Sequence, residues 1–475
     1  MSLYNVDALT SGTLIDAGVA AGDIAAIDEG IVILERLVSA TPEARGDIQY
    51  CLANGLSSKA DFDATEYPEW YLITADIRQR ARRFYQSSAS NNLTPIGIRS
   101  QAYTNLGNSL LRGFRLVEAY DCYTSALKYD PTNSIALIGA SRVLLRLARI
   151  GAGDSNVLLS VADKYLIKAK ENPERIRQLA GEKAYQFLSK FLGTDIPTGE
   201  LPDLVAATDY QRFVAKHRLT LAPTIEGLDL STSRWDSLHV HGITEHISAG
   251  QGVPPLFAML NILKSEYLAA RYLAYLALNS TLPETGKYHD TLDYANYGIK
   301  ESILTLAQRT CLDVLDKVAV AASEYLRLPG EPSNIYFTNR WFVNPKLGES
   351  LAWQPQIREA ILRGNTALIA ISEVSLDIKA GGFLQDKKML RNSSTHRFTV
   401  LHDLGGFSSR SSNYVDHHSF DEFVNQLIET LQLARAVILY FVEMVTQNEH
   451  LVEDEGVFKG QLFVPDHDWV RGEEV

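Results

Sequence analysis

The stretch that decides the fold is residues 100–133, which read SQAYTNLGNSLLRGFRLVEAYDCYTSALKYDPTN. Small residues occupy two positions in it, Gly107 and Ala119, where a larger side chain would keep two helices apart. Tyr123 is placed to fill the gap between such helices, and Pro131 cannot continue the second one. The stretch therefore predicts two antiparallel helices that approach closely at Gly107 and Ala119.

This spacing resembles the TPR repeat, a helix–turn–helix unit with small, aromatic and proline residues at fixed positions. The matching residues are Tyr103, Leu106, Gly107, Leu110, Ala119, Tyr123, Ala126 and Pro131. Weaker matches lie on both sides, at residues 30–42 and 50–56 upstream and at residues 133–147 and 162–173 downstream. One repeat cannot bury its own apolar face, so the resemblance implies a TPR-like helical solenoid over residues 1–190.

The rest of the chain divides into a connector and a second helical region. Residues 191–255 are rich in Gly and Pro, with a short helical piece at residues 210–218. Apolar residues then recur at helical spacing in four long segments: 256–279, 297–328, 356–378 and 419–445. Ser419 and Glu422 form a capping box at the start of the last segment. We predict an all-α protein: a solenoid, then a helical bundle over residues 256–475 with an acidic C-terminal tail.

Composition excludes several classes of protein. The chain has 475 residues and a net charge of −12, which argues against bulk electrostatic coating of nucleic acid. Half of this net negative charge lies from residue 449 onward, in a stretch that contains eight acidic and two basic residues. No apolar run is long enough to cross a membrane, and no export signal is present. The three cysteines form no paired motif, which favours reduced thiols in the cytoplasm.

Residues 383–403, between two glycine pairs, combine basic and small polar side chains. Leu384 and Phe398 are among the apolar residues expected to anchor a short helix there, although its serines and threonine are poor helix formers. Arg391 offers a permanently charged, forked donor to a phosphate, and His396 can move a proton near neutral pH. This pair suits phosphodiester chemistry, and no metal is needed where the 2′-hydroxyl of RNA is the nucleophile.

The run Arg391-Asn392-x3-His396, late in a helical bundle, resembles the signature of the HEPN superfamily. The resemblance covers roughly residues 256–450, and its fusion to TPR repeats is similar to a recurrent prokaryotic HEPN branch. It implies a metal-independent, cofactor-free endoribonuclease that acts on RNA as a homodimer or higher homo-oligomer. It assigns catalysis to Arg391, Asn392 and His396. Such proteins commonly serve as toxins or antiviral defence effectors, with a protein partner or trigger on the TPR region.

Alternatives remain open at this point. Several other arginines precede a histidine at similar spacing, and the pair Arg397/His402 overlaps the same segment. Of these arginines only Arg391 is followed by asparagine, which the HEPN signature asks for. A different class of function is a non-catalytic TPR adaptor whose bundle is a dimerisation module. A further alternative is a toxin silenced by an antitoxin that covers or modifies the cleft.

Other polar clusters favour structural roles. The series His239, His241 and His246 has spacing that a metal site uses, but it lies in the connector and is expected to be a structured loop. Asp416-His417-His418 directly precedes the Ser419 cap, so a structural role is expected for its imidazoles. Glu266 has two interpretations, a cleft residue or half of an interhelical pair. No nucleotide-binding, zinc-protease or hydrolase motif is present.

Overall fold

A computed structural model of the chain divides into two compact units. Unit 1 comprises residues 1–201, 345–352 and 372–385, and unit 2 comprises residues 202–344, 353–371 and 386–475. The structure describes residues 3–40, 46–150, 155–197, 208–225, 236–246, 253–282, 294–343, 351–379, 381–385, 398–403, 414–451 and 459–461. The predicted all-α class is confirmed, and no helix among these residues is both long and apolar enough to span a membrane.

Unit 1 is built from consecutive helices. They are α1 (Leu3–Ala21), α2 (Ile24–Ala40), α3 (Gly46–Asp61), α4 (Trp70–Ile73), α5 (Ala75–Ser90), α6 (Ile96–Arg112), α7 (Leu116–Tyr129), α8 (Ser134–Arg149), α9 (Ser155–Lys170) and α10 (Glu174–Leu192). The main contacts join α1 to α2, α3 to α5, α6 to α7 and α8 to α9. Each weak repeat match therefore lies on a helix of such a pair, while the TPR identity of the pairs stays a prediction.

Tyr123 is the centre of the close packing that the sequence indicated. Its side chain is completely buried, and Ala119 on the same helix is also completely buried. A Cβ added to Gly107 would lie 2.8 Å from the Tyr123 ring, and one added to Gly139 would lie 2.6 Å from it. The ring thus fills the space that two glycines leave open, one on α6 and one on α8.

Enlarging Ala119 or Gly139 is expected to destabilise unit 1. Ala119→Trp has no space to enter, and Gly139→Ala places a methyl group closer to the Tyr123 ring than van der Waals contact allows. Overpacking of this kind typically costs about 1–3 kcal/mol. Urea denaturation followed by circular dichroism measures the cost. Gly97→Ala is the control because a Cβ at Gly97 meets no atom, and equal stability of all three variants would contradict this packing.

From residue 208 onward the elements are α11 (Asp209–His217), β1 (Thr244–His246), α12 (Pro255–Asn279), β2 (Ala295–Asn296), α13 (Ile299–Tyr325), β3 (Phe342–Val343), β4 (Ala352–Trp353), α14 (Pro355–Leu362), α15 (Thr366–Ile378), β5 (Phe398–His402), β6 (Val415–Ser419), α16 (Phe420–His450) and β7 (Lys459–Gln461). The core of unit 2 is the packing of α12, α13 and α16 against one another. The apolar stripe predicted for α16 is buried, with Leu427, Leu431 and Phe441 all inaccessible to solvent. Ser419 Oγ caps this helix by accepting from the Glu422 N–H at 3.2 Å.

The single helix expected over residues 356–378 is wrong, because two helices occupy that stretch. Gly364 has φ +112°, a backbone conformation that interrupts a helix and that glycine tolerates best. Asn365 then starts α15: its Oδ1 accepts from the Leu368 N–H, and its Nδ2 donates to the Met444 carbonyl at 2.8 Å. The residues of α15 from Ser372 onward belong to unit 1.

The short helix expected over residues 383–403 does not extend to residues 398–402, and residues 386–397 lie outside the described residues. Residues 398–402 form β5, which pairs in parallel with β6 and antiparallel with β2. Phe, Thr and Val are common in strands, and Val400 and Leu401 are buried there. The strands β1 with β7 and β3 with β4 form two further small pairs.

Candidate functional site

The predicted catalytic residues Arg391, Asn392 and His396 lie outside the described residues. The structure describes the chain on both sides of them, up to Gln385 and again from Phe398. Each flank contains an arrangement of polar or aromatic side chains that can be examined directly. The site is therefore built from these flanks.

The C-terminal flank is the three-stranded sheet β2–β5–β6 of unit 2. Phe398 pairs with Val415 and His402 pairs with Ser419, so five consecutive residues of β5 are in register with β6. Val400 and Leu401 are 8% and 2% exposed, and because successive strand residues point to opposite faces, both faces of β5 are covered there. The sheet thus holds the chain in a defined position directly after the predicted catalytic segment.

His402 is a buried structural residue. Its side chain is inaccessible to solvent, and its Nε2 lies 2.8 Å from Nδ1 of His417 on the neighbouring strand. One ring must donate and the other accept, so this bond requires one unprotonated nitrogen. A proton-transfer group must reach its substrate, which a completely buried imidazole cannot do. The competing catalytic pair Arg397/His402 therefore loses support.

On strand β6, both imidazoles of the Asp416-His417-His418 run contact other side chains. His418 packs against the Phe423 ring with a centroid separation of 6.0 Å, and burial lowers the pKa of its imidazole. His417 is held by His402. These contacts agree with the structural interpretation of the run.

The N-terminal flank, residues 372–385, contains two acidic side chains buried among arginines within unit 1. Glu373 lies on α15 and receives a bidentate pair of hydrogen bonds from Arg78 on α5, at 2.6 and 2.7 Å. Arg82, one turn further along α5, donates to the same carboxylate at 2.7 Å. Arg78 is fixed in turn by the Thr74 hydroxyl at 2.9 Å and by the Tyr71 carbonyl at 2.6 Å.

Asp377, one turn beyond Glu373, extends this cluster. It pairs with Arg115 and lies 3.1 Å from Arg82, while Arg115 also pairs with Glu118. The side chains of Arg82, Arg115 and Asp377 are completely inaccessible to solvent. We call the group Arg78, Arg82, Arg115, Glu118, Glu373 and Asp377 the buried ion cluster.

Electrostatics in the buried ion cluster favour an ionised Glu373. Burial alone would raise the pKa of this carboxyl, but the charges of Arg78 and Arg82 outweigh burial and lower the pKa from 4.5 to about 2. Sequence reasoning missed the cluster. The available signal was a pair of acids four residues apart on an apolar helix, matched by Arg78 and Arg82 four residues apart on α5.

The histidine series of residues 239–246 has no metal-site geometry in its described part. His239 Nε2 lies 3.0 Å from His241 Nδ1, and His239 Nδ1 contacts the Ser237 carbonyl at 2.8 Å. The nearby Asp236 is held by Arg271 through two hydrogen bonds, at 2.8 and 2.7 Å. No group of three metal-ligating side chains occurs in the described part of the chain, which excludes the side chain of His246.

Glu266 pairs with Lys317, which joins α12 to α13. Of the two roles that the sequence left open for Glu266, the structure favours the interhelical ion pair. The cleft interpretation has no support from the described contacts of Glu266.

Unit 1 also contains a groove of about 780 Å³ lined by helices α1, α3, α5, α6, α8 and α10. Its floor carries a hydrogen-bonded polar row in which Tyr85 and Asn105 both donate to Asn54, at 2.8 and 2.9 Å. Arg142 lies over the Phe191 ring with its guanidinium carbon 4.9 Å from the centroid. The charged lining residues are Asp16, Asp61, Arg78, Arg112, Arg142 and Arg146, so positive charge predominates.

Comparison with known families gives one match. Residues 247–448 match the family model described as LA2681-like HEPN. No curated protein and no solved structure matches the chain. The matched range includes α12, α13, α14, α15, the sheet β2–β5–β6 and nearly all of α16.

Proposed function

We propose that this chain is a metal-independent endoribonuclease of the HEPN type, a proposal supported by the match of residues 247–448 to the LA2681-like HEPN model. The observation that carries the proposal is the position of Arg391-Asn392-x3-His396 inside the matched range. The burial of His402 supports the choice of this pair over Arg397/His402, because it removes the competing imidazole from solvent. The substrate is RNA, and the chemistry needs no cofactor.

In the proposed reaction, His396 acts as general base or acid on the 2′-hydroxyl or the leaving oxygen. Arg391 stabilises the charge that develops on the phosphate, where a fixed guanidinium is effective. Asn392 orients the phosphate or its neighbours. We propose that the chain acts as a homodimer, in which the motifs of two copies face one cleft.

We further propose that the chain is a toxin or antiviral defence effector that its N-terminal repeat region regulates. Two features of unit 1 support this. The groove is lined by Arg142 and Arg146, whose charge favours an acidic partner. Residues 372–385, which lead directly toward the catalytic segment, pack within unit 1 through the buried ion cluster. A partner that shifts the helices of unit 1 would act on residues 372–385, which precede Arg391 and His396 in the chain.

The groove also favours a second candidate function, a non-catalytic adaptor. Its polar floor and arginine-rich lining are suited to binding a partner whether or not the HEPN domain cuts RNA. In that case the HEPN domain serves as a dimerisation module.

Incubation of the purified protein with single-stranded RNA and a chelator tests the proposed function. We expect cleavage that persists under chelation and leaves 2′,3′-cyclic phosphate ends, because the 2′-hydroxyl is the nucleophile. A DNA copy of the substrate lacks that hydroxyl and should stay intact. Intact RNA under all conditions, including mild destabilisation of unit 1, would favour the adaptor.

A further inference from the structure

Helix α12 of unit 2 carries apolar side chains on two opposite sides. One side is buried in the core, where Leu263 and Tyr267 are 2% and 0% exposed. The other side carries six uncharged residues spaced alternately four and three positions apart, which keeps them on one face: Ala258, Ile262, Ser265, Ala269, Tyr272 and Leu276. Ile262 and Tyr272 are 52% and 46% exposed, and only Leu276 is partly buried. We call these six residues the outer stripe.

The three charged residues of α12 are all engaged within unit 2, and none belongs to the outer stripe. Lys264 donates to a backbone carbonyl of the connector at 2.6 Å, and Glu266 pairs with Lys317 on α13. Arg271 is buried and pairs with Asp236 at 2.7 Å. A helix that is apolar on every side is normally a buried helix, so the exposed stripe is a surface that fits a partner.

The missing charge restricts the chemistry of this partner. Nucleic acids and acidic peptides are bound by basic side chains, and the outer stripe contains none. A helix that lies on a membrane surface also carries lysines and arginines on its polar face, whereas those of α12 are held by other groups of unit 2. An apolar face of a protein is the partner that complements the stripe.

The order of side-chain sizes along the outer stripe indicates a second copy of this chain. Two α12 helices that pack antiparallel about a two-fold axis at the level of residue 267 bring the stripe residues together in three pairs: Ser265 opposite Ala269, Ile262 opposite Tyr272, and Ala258 opposite Leu276. The smallest pair lies at the axis, where crossing helices approach most closely, and larger side chains follow on both sides. A surface that complements itself about one level is the property of a two-fold contact.

We propose that the outer stripe joins two copies of this chain through antiparallel packing of their α12 helices. The contact brings no unpaired charge of α12 out of water, although each copy has a net charge of −12. It adds a defined face to the homo-oligomer of the proposed function and rests on that part of it. It does not depend on RNA cleavage, because no stripe residue belongs to the predicted catalytic segment.

Cross-linking between two single-cysteine variants of the full-length chain tests the antiparallel register. Tagged Ile262→Cys and untagged Tyr272→Cys are mixed and treated with a short thiol cross-linker. Cysteines at 262 and 272 of different copies face each other in the proposed contact, whereas two cysteines at 262 lie about 15 Å apart along the helices. We therefore expect a product that contains one copy of each variant.

Tyr336→Cys replaces Tyr272→Cys in the control mixture, because Tyr336 is 47% exposed but lies outside α12. This mixture should give no product above the background of the parent protein, whose own three cysteines remain. Products that join two copies of the same variant would indicate a parallel contact and overturn the proposal. The absence of any specific product would overturn it as well.

Ala269→Glu tests the contribution of the outer stripe to association. Both copies would place a carboxylate beside the two-fold axis, where it loses water and gains no partner. The dissociation constant should rise by roughly 100-fold or more, and the mass from light scattering at micromolar concentration should halve. Ser265→Ala keeps a small side chain and should leave association unchanged. Asn425→Glu is the matched control, because it adds the same charge at an exposed position of α16.

The outcomes separate this contact from the proposed function. A stable dimer without the 262–272 cross-link would refute the α12 contact and leave the proposed homodimer standing. A monomeric parent protein would refute both, as would binding of that monomer to phospholipid vesicles through the outer stripe. The specific cross-link in a protein that cleaves no RNA would support the contact and refute the ribonuclease.

Discussion

Replacing His396 or Arg391 with alanine is expected to abolish RNA cleavage while leaving the protein folded. Loss of a general acid–base histidine typically lowers the rate about 10²–10⁴-fold. Loss of one preorganised donor to a developing charge costs about 10²–10³-fold. Asn392→Ala should have a smaller effect, because its proposed role is orientation. Initial rates of cleavage of a labelled RNA, with circular dichroism to verify folding, measure these effects.

The control for this experiment follows from the burial of His402. Arg397→Ala removes a positive charge of the same segment without touching the proposed pair, so it should keep most of the activity. His402→Ala is less suitable, because it leaves a cavity and breaks the bond to His417. Inactivity of Arg397→Ala together with activity of His396→Ala would show that the wrong residues were chosen, even within a HEPN ribonuclease.

Much of the fold could be predicted because its signals are local. Gly107, Ala119 and Tyr123 lie within one helix pair, and their spacing alone defines how the two helices meet. The long apolar periods of α12, α13 and α16 likewise determine which faces are buried. The Ser419 cap could be identified from its own position and that of Glu422. None of these features depends on residues far away in the chain.

The strands were harder to predict because strand pairing is non-local. β5 is only five residues long and takes its hydrogen-bonding partners from β2 and β6. Its apolar residues also fit one face of a short helix, and local spacing could not separate the two. The break between α14 and α15 was missed for a different reason. Gly364 is a local signal, but a lone glycine within an apolar period also occurs in continuous helices.

The site was predictable to the extent that its chemistry lies in one short motif. Arg391-Asn392-x3-His396 is visible in the sequence, and its assignment to catalysis remains a proposal. The buried ion cluster was not visible, because Arg78 and Glu373 are separated by 295 positions in the chain. The role of His402 could not be predicted either, because its burial depends on a strand pairing that local sequence does not indicate.

Glu373→Ala is expected to destabilise the protein by about 3–5 kcal/mol. Removing one partner of a buried ion pair leaves the opposite charge buried and uncompensated, which is costly. Here the loss would leave Arg78 without its bidentate acceptor, and Arg82 with only Asp377 nearby. The free energy of unfolding from urea denaturation of the full-length chain measures the effect.

Glu35→Ala is the matched control. Glu35 on α2 pairs with Arg80, which lies between Arg78 and Arg82 on α5. Those two side chains are 39% and 41% exposed, so their ion pair is solvated and contributes at most about 1 kcal/mol. Similar destabilisation by Glu35→Ala and Glu373→Ala would mean that burial adds nothing to the ion cluster. A much larger loss for Glu373→Ala would agree with the geometry of the cluster.

The pH dependence of Glu373→Gln provides a sharper test of the same carboxylate. The pKa of Glu373 in the folded protein is about 2, below its ordinary value of 4.5, so ionisation of this group stabilises the folded state. That contribution is complete above pH 4.5 and declines as the pH falls toward 2. Glutamine has nearly the same shape but carries no charge at any pH. The stability difference between the parent protein and Glu373→Gln should therefore be constant above pH 4.5 and shrink below it, whereas a difference that is independent of pH would show that shape rather than charge holds the cluster.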